Sequence, residues 1–388
     1  MRLGLLPKLI IGIIAGILIG SITPEWFIRI LVTFRDIFGA FLTYAIPLII
    51  ISFVAPGIAE LGKDAGKLLG ITTGLAYLST LIAGFSAFLI GKALLPSLVT
   101  AGSAGNPEEA ALKGYFEIQI DPIMGVMTAL VTAFVLGLGM AVIKEKYLYN
   151  IMVDFKDIIE KVIQSVIIPL LPYYIAGVFA NMAYTGEIAQ TMLTFIKVFA
   201  LIIILHICYL LVLYIFSGSV TGRNPFRALK NMLPAYFTAI GTQSSAATIP
   251  VTVRQTKVNG VTDEVVDFAI PLCATIHLAG STITLVICSM AVLLISGLVP
   301  QISSYAPFIF MLGITMIAAP GVPGGAVMAA LGLLEIYLGF DEVAKALMIA
   351  LYLTQDSFGT ACNVTGDGAI AMLVDRFNRL FKGKPVTN

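Results

Sequence analysis

Two aspartates near the end of the chain carry the first chemical signal. Asp356 and Asp367 stand eleven positions apart in the apolar stretch 342–373. Eleven residues is about three helical turns, so on an unbroken helix both carboxylates face one side, with Thr360 and Asn363 on or near the same stripe. An ionised carboxylate at bilayer depth costs about 3 kcal/mol even on lenient insertion scales, and it faces a cavity or a partner. Basic partners are few. His277, inside the interruption Ala274-Thr-Ile-His-Leu-Ala-Gly-Ser-Thr282, is the cation candidate among these motifs. It can pair with Asp367, ligate a metal ion or carry a proton; the alternative is a hydrogen-bonded structural imidazole. Asn363-Val-Thr-Gly-Asp367 offers amide and carboxylate oxygens, with carbonyls expected to be free around Gly366. Hard oxygen ligands suit a small cation such as sodium, whereas a proton needs only the carboxylate or the imidazole.

Two further interruptions are built alike. Gly241-Thr-Gln-Ser-Ser-Ala-Ala-Thr-Ile-Pro250 and Ala318-Ala-Pro-Gly-Val-Pro-Gly-Gly-Ala326 each sit midway in an apolar region too long for one crossing. Small residues and prolines there let the chain turn back, which predicts a re-entrant helical hairpin whose tip lines a cavity or packs in protein. A half-helix beginning near Ser244 and Ser245 presents free N–H groups to an anionic group such as a carboxylate. The second tip, Gly321-Val-Pro-Gly-Gly325, has the composition of a gate or of a purely structural turn. Each hairpin is followed by a span interrupted by polar residues, 265–297 and 342–373. Hairpin, broken span, hairpin, broken span is an internal repeat, and matching interruptions in two halves of opposite orientation point to a transporter's midplane site. Kinked structural helices in another kind of membrane protein are the alternative.

The composition demands a membrane around these motifs. Of 388 residues, 59% are hydrophobic and 12% charged, with a mean hydropathy of +0.99. Soluble domains carry about 25% charged residues, so a water-facing globule cannot be built from this chain. The net charge of +1 gives no reason to expect nucleic acid or a strongly charged partner. Cys208, Cys273, Cys288 and Cys362 lie in apolar stretches without metal spacing and read as small buried hydrophobes. No phosphate-binding Gly-x-x-x-x-Gly-Lys-Ser/Thr loop occurs, which argues against a nucleotide-driven pump.

At about 20 residues per crossing there is room for about eight spans. Six are expected at 5–22, 38–58, 68–95, 123–143, 163–185 and 191–217, the first retained rather than cleaved. The segments 97–121, with Gly105-Asn-Pro-Glu-Glu109, and 144–161, with four lysines in an amphipathic pattern, read as polar connections. A cytoplasmic N-terminus puts most of the 23 Lys and Arg, from Arg2 and Lys8 to Lys382 and Lys384, on cytoplasmic segments. That fits the positive-inside rule, places both termini in the cytoplasm of a multi-pass plasma-membrane protein, and has the two hairpins entering from opposite sides.

Three ordered motifs, Gln243-Ser-Ser-Ala-Ala-Thr-Ile-Pro-Val-Thr252, Pro320-Gly-Val-Pro-Gly-Gly325 and Asn363-Val-Thr-Gly-Asp367, make the chain resemble the glutamate transporter family of dicarboxylate/amino acid:cation symporters, most closely in its serine/threonine branch. The likeness is strong over about 225–373; earlier spans match in number and orientation. The resemblance implies an all-α integral membrane fold of eight transmembrane helices plus two re-entrant hairpins in inverted repeat, working as an elevator within a homotrimer. It implies a scaffold of spans 1–2 (residues 1–62) and 4–5 (97–188). Span 3 (63–96) and the core 189–380 would form the transport domain, followed by a cytoplasmic tail, 381–388. By the same resemblance Ser244, Ser245 and Asn363 hold a substrate α-carboxylate, Asp356 the α-amino group, and Thr360, Ser281 and Val322 further contacts. Asp367, with Asn363 and His277 beside it, is expected at the coupling ion.

Two departures shape the expectation. Acidic-substrate members carry an arginine where this chain has Gly359, and the arginine that some members place before the hairpin serines is Gln243. A side-chain carboxylate would lack its bidentate partner, at a cost of about 3–5 kcal/mol for an unpaired buried charge. A small neutral amino acid is therefore expected. The family's Asn-Met-Asp-Gly-Thr reads His277-Leu-Ala-Gly-Ser281, so at least one sodium site is missing or rebuilt, and sodium coupling is favoured with proton coupling through His277 as the alternative. No cofactor and no covalent chemistry are expected. A channel and a membrane hydrolase using Ser245 and His277 are the competing classes.

Overall fold

Long apolar runs with few charges must satisfy every backbone group internally, and the computed structural model is helical, with residues 112–125 a non-helical segment before Val126. It describes residues 5–62, 67–99, 112–143, 145–186, 188–317, 319 and 323–381, and no strand occurs among them. Val322, the 105–109 loop and the tail 382–388 lie outside the described residues.

The first half is made of α1 (Leu5–Ile22), α2 (Glu25–Gly62), α3 (Lys67–Leu98), α4 (Val126–Val142), α5 (Tyr147–Val162), a π-helical turn (Ile163–Ile167), α6 (Ile168–Tyr184) and α7 (Ile188–Thr221). Two expectations change here. The second span begins at Glu25 rather than residue 38. The segment 144–161 is not a polar connection, because residues Tyr147–Tyr184 form one continuous helical rod. Its amphipathic start buries Met152 and Ile159. Pro169 lacks the N–H that an α-helical turn requires there, and the π turn just before it absorbs the mismatch.

α1 lies on α6 along a stripe of small residues. A Cβ added at Gly12 or Gly16 would come within 2.5 Å of the backbone oxygen of Pro172 or Ala176, and one at Gly20 would meet that of Ala180. Small residues every fourth position let two backbones approach, as in membrane helix pairs. α2 packs on α4, α5 and α6 to complete this group.

The second half comprises α8 (Pro225–Asn231), α9 (Leu233–Thr242), α10 (Ser245–Val258), α11 (Asp263–Ile276), α12 (Ala279–Ile295), α13 (Ile302–Met316), α14 (Gly325–Leu338), α15 (Glu342–Leu353) and α16 (Asp356–Phe381). α9 packs on α10, and α13 on α14, as paired half-helices. α16 runs through the centre, touched by α3, α7 and α9 to α12. Burial separates core from periphery: 94% of the most apolar window in 263–295 is buried against 39% in 191–221. α7 accordingly exposes Ile204, Ile207, Val212 and Phe216. Cys208 shares that outer face and is exposed, contrary to expectation; the other three cysteines are buried. Among the described residues, five helical stretches are long and apolar enough to cross a membrane.

Candidate functional site

α16 delivers the stripe read from spacing. Asp356, Thr360, Asn363 and Asp367 are all buried, with Asp356 6% and Asp367 1% exposed. The helix is unbroken from Asp356 onward. The expected interruption around Asn363–Asp367 is absent, and the chain breaks instead at Thr354–Gln355, between α15 and α16. The glycines mark close approach rather than a kink: a Cβ at Gly366 would lie 2.8 Å from His277 Cε1, and one at Gly368 2.8 Å from Met232 Cε and 2.9 Å from the Tyr214 hydroxyl. The carbonyls near Gly366 are therefore helical, and the Thr365 oxygen also accepts a hydrogen bond from Tyr214 at 2.8 Å.

The span 265–297 breaks where the sequence indicated. His277 leaves helical geometry at φ −109° and ψ 90°, and α12 restarts two residues later, with unpaired first-turn amides. Asn363 caps them: its Oδ1 accepts from Gly280 N at 2.7 Å and Ser281 N at 3.2 Å, while its Nδ2 donates to Ser281 Oγ at 2.9 Å. With two amides on Oδ1, Asn363 acts here as a clamp between helices, and its second Nδ2–H makes no hydrogen bond among the described residues. Gly280 makes the approach possible, since a Cβ there would sit 2.5 Å from Gly359 O and 2.6 Å from Cys362 Cβ. His206, expected to be structural, supports the same turn through Nε2 to Gly280 O at 3.0 Å.

His277 meets Asp367 directly, Nδ1 to Oδ1 at 2.9 Å. Its Nε2 lies 3.0 Å from Ser79 Oγ on α3, and Ser79 contacts the Tyr209 hydroxyl on α7. With a neutral ring this is one directional chain, Tyr209 to Ser79 to His277 to Asp367. Ser79 and Tyr209 have no marker in the sequence; isolated polar residues within apolar spans are the signal that finds them. Both ring nitrogens are occupied, so His277 is not a base for Ser245. Sodium fits this donor set in part: one carboxylate is present, but Asn363 Oδ1 is already shared by two amides and the imidazole presents a proton.

Each tip ends in the N-terminus of a half-helix. Ser244 is the N-cap of α10, its side chain accepting from Ala247 N at 3.2 Å, a contact of about 1 kcal/mol. Ser245 opens the first turn, and Gln243 before it is left-handed at φ 53°. At the second tip Gly324, at φ 76°, is the N-cap of α14. Its amide donates to Asp356 Oδ2 at 2.8 Å. Gly359 faces Ser281 N and Thr284 Oγ1, both 3.6 Å from where a Cβ would be. Asp356, Gly359, Thr360, Asn363, Ser281 and Gly324 thus lie along the first two turns of α16, and Asp367 with its partner His277 about one turn beyond Asn363.

Comparison with known proteins agrees with this architecture. A sequence model of the sodium:dicarboxylate symporter family matches residues 5–377. The serine/threonine transporter SstT of Streptococcus suis is 27% identical over 348 residues, covering 84% of this chain and 93% of the relative. SstT of Bifidobacterium adolescentis is 26% identical over 403 aligned positions, covering 98% and 91%. The protein is a multi-pass membrane transporter rather than an enzyme, and it belongs to the sodium:dicarboxylate symporter family.

Proposed function

We propose that the protein is a secondary active symporter that carries a small neutral amino acid together with sodium. Asp356 carries the reading: it is buried, and no lysine, arginine or histidine lies within ion-pair distance of it among the described residues. A solitary carboxylate in such surroundings calls for a cationic partner, and a substrate ammonium supplies one. Asn363 Nδ2, Ser244 and Ser245 offer donors for the α-carboxylate. Gly359 leaves the side-chain end without a charge, in keeping with the serine/threonine names of the relatives. Thr360, Ser281 and Val322 belong to the same proposal.

The packing supports an elevator division. α1, α2 and α4–α6 pack on one another, while α3 and α7 join α8–α16, matching a scaffold of 1–62 and 97–188 and a transport domain of 63–96 and 189–380. Eight crossings, two opposed re-entrant hairpins, cytoplasmic termini and a homotrimer complete the proposal. Proton coupling is the second reading, favoured by the His277–Asp367 contact. The test is uptake in proteoliposomes: labelled serine, threonine or alanine should accumulate with an imposed sodium gradient. Tight saturable glutamate uptake in their place overturns the neutral-substrate claim.

A further inference from the structure

Tyr352, in the last turn of α15, is fully buried at 0% exposure, and its hydroxyl has no hydrogen-bond partner. Buried hydroxyls are nearly always paired, because stripping one of water without replacement is unfavourable. The phenol lies beside the side chains of Asp356 and Ser281, without a hydrogen bond of good geometry to either. Each neighbour already has a partner: Asp356 Oδ2 takes the Gly324 amide and Ser281 Oγ takes Asn363 Nδ2. Gly359 contributes no side chain, and a carbon placed there would make ordinary contacts with Ser281 N and Thr284 Oγ1 at 3.6 Å and Gly280 C at 3.7 Å. A buried hydroxyl without a well-formed hydrogen bond therefore lies beside the carboxylate assigned to the substrate amine.

We infer that the Tyr352 hydroxyl hydrogen-bonds the side-chain hydroxyl of the substrate, so that the site selects hydroxyl-bearing neutral amino acids over their deoxy counterparts. The inference rests on the amine assignment to Asp356. A polar group left unpaired by the wrong ligand discriminates more strongly than a pocket that merely lacks a methylene, and Tyr352 is unpaired until a hydroxyl arrives.

The test compares serine, threonine, alanine and 2-aminobutyrate, the last being threonine without its hydroxyl. Affinities for all four are measured on the purified full-length protein and on Tyr352→Phe, which keeps the ring and the packing. Serine and threonine should weaken by roughly three- to tenfold, the range for loss of one neutral hydrogen bond. Alanine and 2-aminobutyrate should stay within about twofold, since no such bond is lost. An equal loss for all four overturns the inference, because Tyr352 then serves Asp356 rather than the substrate side chain; no loss for any overturns it as well. A wild-type protein that binds none of the four defeats the amino-acid reading before any substitution is made, so the two failures are told apart.

Discussion

The Asp356 carboxylate accepts the backbone amide of Gly324 at 2.8 Å. Because Gly324 is the N-cap of α14, the carboxylate sits at the positive end of a half-helix. One oxygen thus holds the second tip while the acid has no basic side-chain partner among the described residues. On the proposed reading, a substrate ammonium arriving there would compete with, or share, the contact that fixes the tip. Occupancy of the amine position and placement of the second hairpin are then one equilibrium, and a ligand shifts it by its differential affinity for the two arrangements.

Asp356→Asn keeps the size of the side chain and an oxygen for the Gly324 amide but removes the charge. Amino-acid binding should weaken at least about thirtyfold, the lower end for losing one partner of a buried charge pair, with the unliganded melting temperature nearly unchanged. A thermal-shift titration reads both. Normal binding by the variant would remove Asp356 from the amine role.

Two neighbouring glycines should respond oppositely to alanine. Gly280→Ala drives a methyl to 2.5 Å from Gly359 O, forcing α12 off α16 and breaking the Asn363 clamp; overpacking of this kind costs about 1–3 kcal/mol. Gly359→Ala meets nothing nearer than 3.6 Å and should fold normally. Gly359→Arg adds the charge the site lacks, so competition assays should show preference moving from serine toward glutamate or aspartate. Equal melting temperatures for Gly280→Ala and Gly359→Ala would contradict the packing described.

The breaks in the helices were legible in the sequence because each puts Ser, Thr, Gly or Pro where an uninterrupted span has no use for them. Ser244 as a cap and His277 at a break follow from that pattern. Gly366 misled, since glycine serves both kinks and close contacts, and only its neighbour His277 reveals which. The rod from Tyr147 to Tyr184 was hidden because lysines on one helical face resemble a surface connection. The Gly12, Gly16, Gly20 spacing was visible, but its partner strip on α6 was not. Ser79 and Tyr209 carry no spacing signal, as each is a single polar group whose neighbours come from distant segments; Tyr352 stands four residues before Asp356, but the chain break at 354–355 hides their relation.

A covalent link can test whether the two groups of helices move past each other. Gly332 on α14 and Val126 on α4 touch so closely that a Cβ at Gly332 would lie 2.5 Å from Val126 Cγ1. The two Cβ atoms are thus within the roughly 3.5–4.5 Å that a disulfide spans. In a Cys208→Ser background, Val126→Cys with Gly332→Cys should transport when reduced and stop when oxidised, with recovery on adding reductant. Full uptake by verified cross-linked protein would rule out motion of α14 relative to α4.

At the His277–Asp367 pair, sodium and proton coupling predict different outcomes. Both side chains are almost wholly buried, so His277→Leu strands a carboxylate and should destabilise the protein by about 3–5 kcal/mol. His277→Asn retains an amide donor for Asp367 and should lose less. The functional comparison therefore uses the asparagine variant. If sodium is the coupling ion, an imposed sodium gradient drives uptake in both the wild type and His277→Asn, and a proton gradient alone drives neither. If the pair carries a proton, wild-type uptake follows the proton gradient and that response disappears in His277→Asn, because asparagine cannot take up and release a proton. Measuring initial rates under each gradient separately, at matched membrane potential, distinguishes the two outcomes. The sodium reading fails if the wild type ignores sodium.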